Sequence, residues 1–147
     1  MDLYPKTSAL MIATLLSGCA TPYQKDMPWS LTGGFIESEA PGQLKKISFS
    51  GNAYISVETA AKYTLYRCAE YAKEHNADYF ILYESLMHAA IGRASDKINM
   101  GALGGAPFTS TYILLRNANG VGAWHTETIL ENYHDIVHPA KPAATND

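Results

Sequence analysis

The chain has no apolar run long enough to cross a bilayer, no cluster of basic residues, no internal repeat and only two cysteines. Each absence excludes something. A membrane-spanning helix takes roughly 20 consecutive apolar residues, and the N-terminal run Ser8–Leu16 stops far short of that. Nucleic acid and anionic headgroups are bound by clustered Lys and Arg. Here 11 basic residues face 14 acidic ones, for a net charge of −3, and they are scattered. Nucleic acid is therefore not an expected partner. Two cysteines allow one internal disulfide at most. Neither a Gly-x-Ser-x-Gly nucleophile elbow nor an HExxH zinc motif occurs.

What is present starts at the N-terminus. The apolar run ends in Leu16-Ser17-Gly18-Cys19, a cysteine directly after a small-residue cleavage site. This pattern looks like a bacterial lipobox at the end of a secretory signal. It implies cleavage between Gly18 and Cys19, a diacylglycerol on the Cys19 thiol, and a mature chain that begins at the lipidated cysteine. Lys6 is the only basic residue before the run and Asp2 opposes it, which is poor for a signal. An ordinary amphipathic N-terminus, or a signal cut to leave a bare thiol, remain the alternatives. Ala20, not Asp, follows the cysteine, and by similarity to Gram-negative lipoproteins this favours the periplasmic face of the outer membrane.

Residues 1–18 thus read as a signal peptide, 19–32 as a lipidated tether carrying Pro22 and Pro28, 33–137 as one domain and 138–147 as a disordered tail. Loss of the signal leaves 129 of the 147 residues, enough for one core and not two. With Cys19 acylated, Cys68 lacks a disulfide partner. Cys68 falls on the apolar face of a predicted helix and reads as a small buried hydrophobe. Ten tyrosines suit a half-buried sheet or an interface.

Short strands are expected at Phe35–Ser38 and at Lys45–Ser50, where Ile47 and Phe49 share a face, with Pro41-Gly42 between them as a turn. Ser56 reads as the N-cap of a helix spanning about 57–75. Its stripe is Val57, Ala61, Leu65 with Thr64, Cys68 and Ala72, and Asn76 is its left-handed cap. Asp78–Glu84 is a strand, covered on both faces or with tyrosine tips in solvent. Residues 85–99 read equally as strand extension or helical turn. Met100–Pro107 reads as a Gly/Ala-rich loop, Thr109–Arg116 as a strand, Asn117–Gly120 as a turn and Trp124-His125 as extended. A C-terminal helix after Thr126 carries Ile129, Leu130 and Tyr133. The fold expected is α+β, a small antiparallel or mixed sheet of about four strands with the long helix and the shorter C-terminal helix on one face.

Gly51-Asn52-Ala53-Tyr54-Ile55-Ser56-Val57-Glu58 and Leu65-Tyr66-Arg67-Cys68-Ala69-Glu70, running on to Asp78-Tyr79-Phe80, resemble a family of small uncharacterised proteobacterial lipoproteins. Thr21-Pro22-Tyr23-Gln24 and Gly33-Gly34-Phe35 belong to the same resemblance, which covers roughly residues 16–82. Ala60, Ala61 and Cys68 depart from the family pattern. The resemblance implies a lipid-anchored envelope protein and no activity. Arg67 and Glu70 read as a surface pair.

Other chemistry finds little footing. His134 and His138 are four apart, with His125 and Glu131 nearby, but Pro139 ends the helix and no cysteine or carboxylate motif completes a metal site. Gly101–Ala106 is followed by Pro107 and a strand, not by the helix a phosphate loop requires. Glu37, Glu39 and Glu84 would form a carboxylate set only if their strands paired. No catalytic residue, cofactor or metal is expected. The function expected is a non-enzymatic binding or structural module, held to the membrane by Cys19. Its sheet edge, its tyrosines and the 85–107 segment would meet another envelope protein. The alternative is a hydrolase-like envelope enzyme.

Overall fold

The computed structural model describes residues 19–27 and 32–140; the expected signal peptide lies outside them. Strands β1 (Gly34–Glu39) and β2 (Leu44–Ser50) precede helix α1 (Val57–Glu74) and strand β3 (Tyr79–Tyr83). A short helix α2 (Leu86–Ala90) leads to strands β4 (Asn99–Leu103), β5 (Ala106–Arg116) and β6 (Ala123–His125), and helix α3 (Thr126–Val137) closes the order. The fold is α+β as expected. The sheet, however, has six strands rather than about four among the described residues, and all its named strand pairs are antiparallel.

The strand order is β1-β2-β5-β3-β6, with β4 also paired to β5. One side of β5 pairs with β2 over 108–114. The other side is shared end to end by β4, over 106–110, and β3, over 112–116. The segment expected to be a loop, Met100–Pro107, is therefore a hairpin. Its turn is Gly104-Gly105 with φ of +59° and +83°, the two positive angles that a two-residue type I′ turn demands and that glycine adopts without strain. Every residue of β4 is exposed, so no apolar alternation marks it in the sequence. Residues 85–99 split into the five-residue α2, capped by Ser85, and a return to the sheet in which Ser95 N–H donates to Leu82 O at 2.8 Å.

Helix α1 begins as expected, with Ser56 Oγ accepting from Thr59 N at 3.1 Å. It ends in a Schellman motif: Ala77 N–H donates to Ala72 O at 2.9 Å and Asn76 N–H to Lys73 O at 3.0 Å, with Asn76 at φ 55°. The expected stripe needs correction in its first turns. Val57 and Ala61 are only half-buried, whereas Ala60, Tyr63, Tyr66 and Arg67 are buried beside Thr64. The reason is that α1 is covered on two sides, by the sheet and by α3 together with Tyr23.

Alternation sorts the strands into two faces. Ile47, Phe49, Phe80, Leu82 and Ile113 point at α1 and are fully buried, each contributing roughly 1.5–3 kcal/mol by burial. Ala60, Ala69 and Ala72 let the helix approach closely. The buried hydroxyls are satisfied, with Thr64 Oγ1 and Thr109 Oγ1 2.6 Å apart. The opposite face holds Ile36, Leu44, Ile81, Phe108, Tyr112 and Leu114, none of them buried. Strand β3 fits neither alternative: α1 covers Phe80 and Leu82 on one face, and on the other Tyr79 and Ile81 are half-buried while Tyr83 is buried beside α2.

Candidate functional site

The residues expected to be a tether are docked on the domain. Asn52 is the hub. Its Nδ2 donates to Cys19 O at 2.9 Å, its Oδ1 accepts from Thr21 N at 3.2 Å and from Tyr54 N at 3.1 Å, and its own N–H donates to Thr21 Oγ1 at 2.7 Å. Thr21 Oγ1 donates in turn to Thr32 O at 2.6 Å, and Thr21 is buried. Further along, the chain runs beside β1. Phe35 N–H donates to Gln24 O at 2.8 Å and Asp26 N–H to Phe35 O at 2.9 Å, which covers part of the edge of β1. Gly34 makes this approach possible, since a Cβ there would stand 2.5 Å from Gln24 O and 2.7 Å from Asp26 N. Cys19 itself is exposed at the head of this segment.

Tyr23 is the second fastening. Its ring lies 5.2 Å from Phe35 and 5.5 Å from both Tyr63 and Tyr66, the latter two edge-on, an arrangement that aromatic quadrupoles favour. Its hydroxyl donates to Glu70 Oε2. Burial pushes the Tyr23 phenol well above its usual pKa, and the Glu70 carboxylate pushes it further. Beneath Glu70 lies Arg67, only 9 % exposed. It donates from Nε to Glu37 on β1, from Nη1 to Glu70 Oε2 at 3.0 Å, and from Nη1 and Nη2 to the two Glu74 oxygens at 2.9 Å each. Its guanidinium also stacks on Phe35 at 4.9 Å. Burial opposes the Arg67 charge, but the three carboxylates outweigh it and hold the guanidinium protonated above its usual range. The expectation of an Arg67–Glu70 surface pair is corrected accordingly: the pair joins α1 to β1 and to the N-terminal segment.

The remaining singled-out residues do not gather into a reactive site. Cys68 is fully buried and burial raises its thiol pKa. His125 caps α3 and its ring lies 5.1 Å from Tyr79. His134 and His138 are neighbours, their rings 5.2 Å apart. His138 is not part of a tail: its N–H closes α3 on His134 O at 2.7 Å, and its ring packs on Tyr23 and Tyr66. Residues 141–147 of the expected tail lie outside the described residues. No group of three or more His, Cys, Asp or Glu is placed to hold a metal among the described residues. Glu37 and Glu39 lie on β1, with β2 and β5 between them and the β3 end that Glu84 follows. Each has its own partner: Arg67, Lys45 and Ser95 respectively. A cleft of about 370 Å³ between α1 and α3 is lined by Tyr66, Glu70, Lys73, Leu130, Glu131 and His134. Its Glu70 is committed to Arg67 and Tyr23, and it holds no nucleophile beside a base.

Tyr23, Asn52 and Arg67 are the residues that sequence reasoning left without a joint role. The available signal was that they carry the resemblance together with Thr21, Gly34 and Glu70, and these residues make up the two fastenings of the N-terminal segment. No protein-family model matches the chain, and no curated protein or solved structure matches it.

Proposed function

We propose that this protein is a cell-envelope lipoprotein, cleaved before Cys19 and anchored by acyl chains on that residue at the periplasmic face of the outer membrane. Its domain is a non-enzymatic binding or structural module. One observation carries the reading: Cys19 stands exposed at the head of a segment whose following residues are hydrogen-bonded to the domain. The anchoring residue therefore lies at the surface of the domain. Two or three acyl chains, at about 0.8 kcal/mol per buried methylene, hold a protein where one chain does so only marginally. No helix among the described residues is long and apolar enough to cross a membrane.

The binding surface proposed is the sheet face that the long helices leave uncovered. An apolar groove of about 530 Å³ runs there between Leu44, Leu114, Tyr83 and helix α2. Exposed apolar surface of this kind marks contact sites on soluble domains, and another envelope protein is the partner that its location supplies. Replacing Cys19 with Ala should move the protein from the membrane fraction to the soluble periplasm, and mass spectrometry of the wild-type N-terminus should find an acylated cysteine. Unchanged membrane association of the variant would refute the anchor.

A further inference from the structure

We infer that the tip of the β4–β5 hairpin, together with Tyr54, is a lipid-contacting surface that lies on the same bilayer as the acyl chains of Cys19. The inference rests on the Cys19 anchor proposed above.

Three placements bring anchor and hairpin to one end of the sheet. Asn52 holds the Cys19 carbonyl at 2.9 Å. The residue before it, Gly51, donates its N–H to Pro107 O at the start of β5, also at 2.9 Å. The residue after it, Ala53, has its Cβ 4.0 Å from where a Cβ on Gly105 would stand, at the hairpin turn. A free tether would make this proximity irrelevant. The 14 residues from Cys19 to Thr32, fully extended, would span about 46 Å. Docking removes that slack at its first residues, so lipid on Cys19 brings the hairpin to the bilayer with it.

The surface delivered there is apolar. Leu103 is 85 % exposed, Tyr54 65 %, Met100 49 % and Phe108 44 %. Its own segments carry no charge: Ile47–Val57 and Ile98–Leu115 contain no Asp, Glu, Lys or Arg, and exposed Glu58 follows in the first turn of α1. The charges collect at the other end of the sheet, with the Glu39–Lys45 pair beside the β1–β2 turn, Asp78 before β3 and Arg116 at the end of β5. A hairpin that carries no charge and exposes Leu, Met and Phe beside Tyr54, with Glu58 on the neighbouring first turn of α1, is the apolar part of that end. Tyrosine, with an apolar ring and a polar tip, settles at the headgroup level. Gly104 and Gly105 expose backbone polar groups at the turn, and these have no partners in hydrocarbon. The tip therefore sits among headgroups and upper acyl segments and goes no deeper.

The test uses the full chain, purified in its acylated form and reconstituted in phosphatidylethanolamine–phosphatidylglycerol vesicles that carry a doxyl-labelled lipid. A fluorophore is placed at Leu103→Cys or Tyr54→Cys, and as a control at Val121→Cys. Val121 is 97 % exposed, in the turn at the far end of β5, and buried Cys68 does not compete for the label. Doxyl lipid should quench the labels at 103 and 54 several-fold more than the label at 121. Equal, weak quenching at all three, with Cys19 acylated by mass and the protein in the vesicle fraction, would overturn the lipid-contacting surface while leaving the anchor standing. It would mean that the tip faces a protein or solvent. A mature N-terminus without acyl groups would overturn both, and the mass spectrum tells the two failures apart.

Discussion

Asn52 and Thr21 bind each other reciprocally. Thr21 N–H donates to Asn52 Oδ1 at 3.2 Å and Asn52 N–H donates to Thr21 Oγ1 at 2.7 Å. The residues are 31 apart in sequence, so the pair closes the N-terminal segment onto the loop between β2 and α1.

Asn52→Ala removes the side-chain partners of Cys19, Thr21 and Tyr54 at one stroke. Water can replace the exposed bonds to Cys19 and Tyr54, while part-buried Thr21 N–H left unpaired costs about 1–3 kcal/mol, and the loss falls on the docked segment first. Hydrogen exchange should accelerate at residues 20–24 and stay slow in β5. Equal protection in the variant would mean that Tyr23 alone holds the segment.

Arg67→Ala leaves Glu37 half-enclosed without its cation. Breaking a buried pair from one side costs about 3–5 kcal/mol. Glu74 is more than half exposed and solvent will screen it, so the lower end, about 3 kcal/mol, is expected in urea unfolding. Arg67→Lys should recover only part of this, because an ammonium cannot address three carboxylates with a planar fork. Full recovery by lysine would reduce the cluster to simple charge balance.

Alkaline pH should loosen the aromatic nest. Burial raises the phenol pKa of Tyr23, Tyr63 and Tyr66 above the ordinary value. Above about pH 10 the unfolded chain sheds phenolic protons that the folded chain keeps. The unfolded state then binds fewer protons, so stability falls as pH rises. The contribution is intact below about pH 10 and is lost progressively above it. Thermal midpoints measured from pH 8 to 11.5 should drop steeply past 10, and Tyr23→Phe should flatten that drop. An identical slope in the variant would place the effect elsewhere.

Cys68 should resist iodoacetamide in the native protein and react once urea unfolds it, since it is fully buried and its thiolate is disfavoured by that burial. Cys68→Ala should cost about 1–3 kcal/mol from lost packing. Rapid native labelling would contradict its place in the core.

The sequence was most legible where burial is one-sided or a cap is local. Ser56, Asn76, the β2 alternation and the α3 stripe all appear where periodicity and capping chemistry put them. Strand β4 was not legible because its pairing is held by backbone bonds and a glycine turn, neither of which leaves an apolar pattern. Arg67 was misread for a related reason: a charge at helical spacing looks solvated until the element opposite it is known. That element is β1, reached across 30 residues and carrying Glu37 as a counter-charge. The docked segment was read as a tether because Pro22 and its polar residues resemble a linker. Thr21 and Tyr23 find their partners only in the tertiary fold.

The Arg67 cluster also fixes how the protein would bear load. A pull on the acyl chains proposed at Cys19 would not be taken up by slack chain. It passes to the Asn52–Thr21 bonds, then to Tyr23, and through Glu70 and Arg67 into the middle of α1. Detaching the N-terminal strap and disturbing the core are mechanically in series. On the proposed anchor, a pull from the membrane would reach the domain itself and the protein would not swing on a leash.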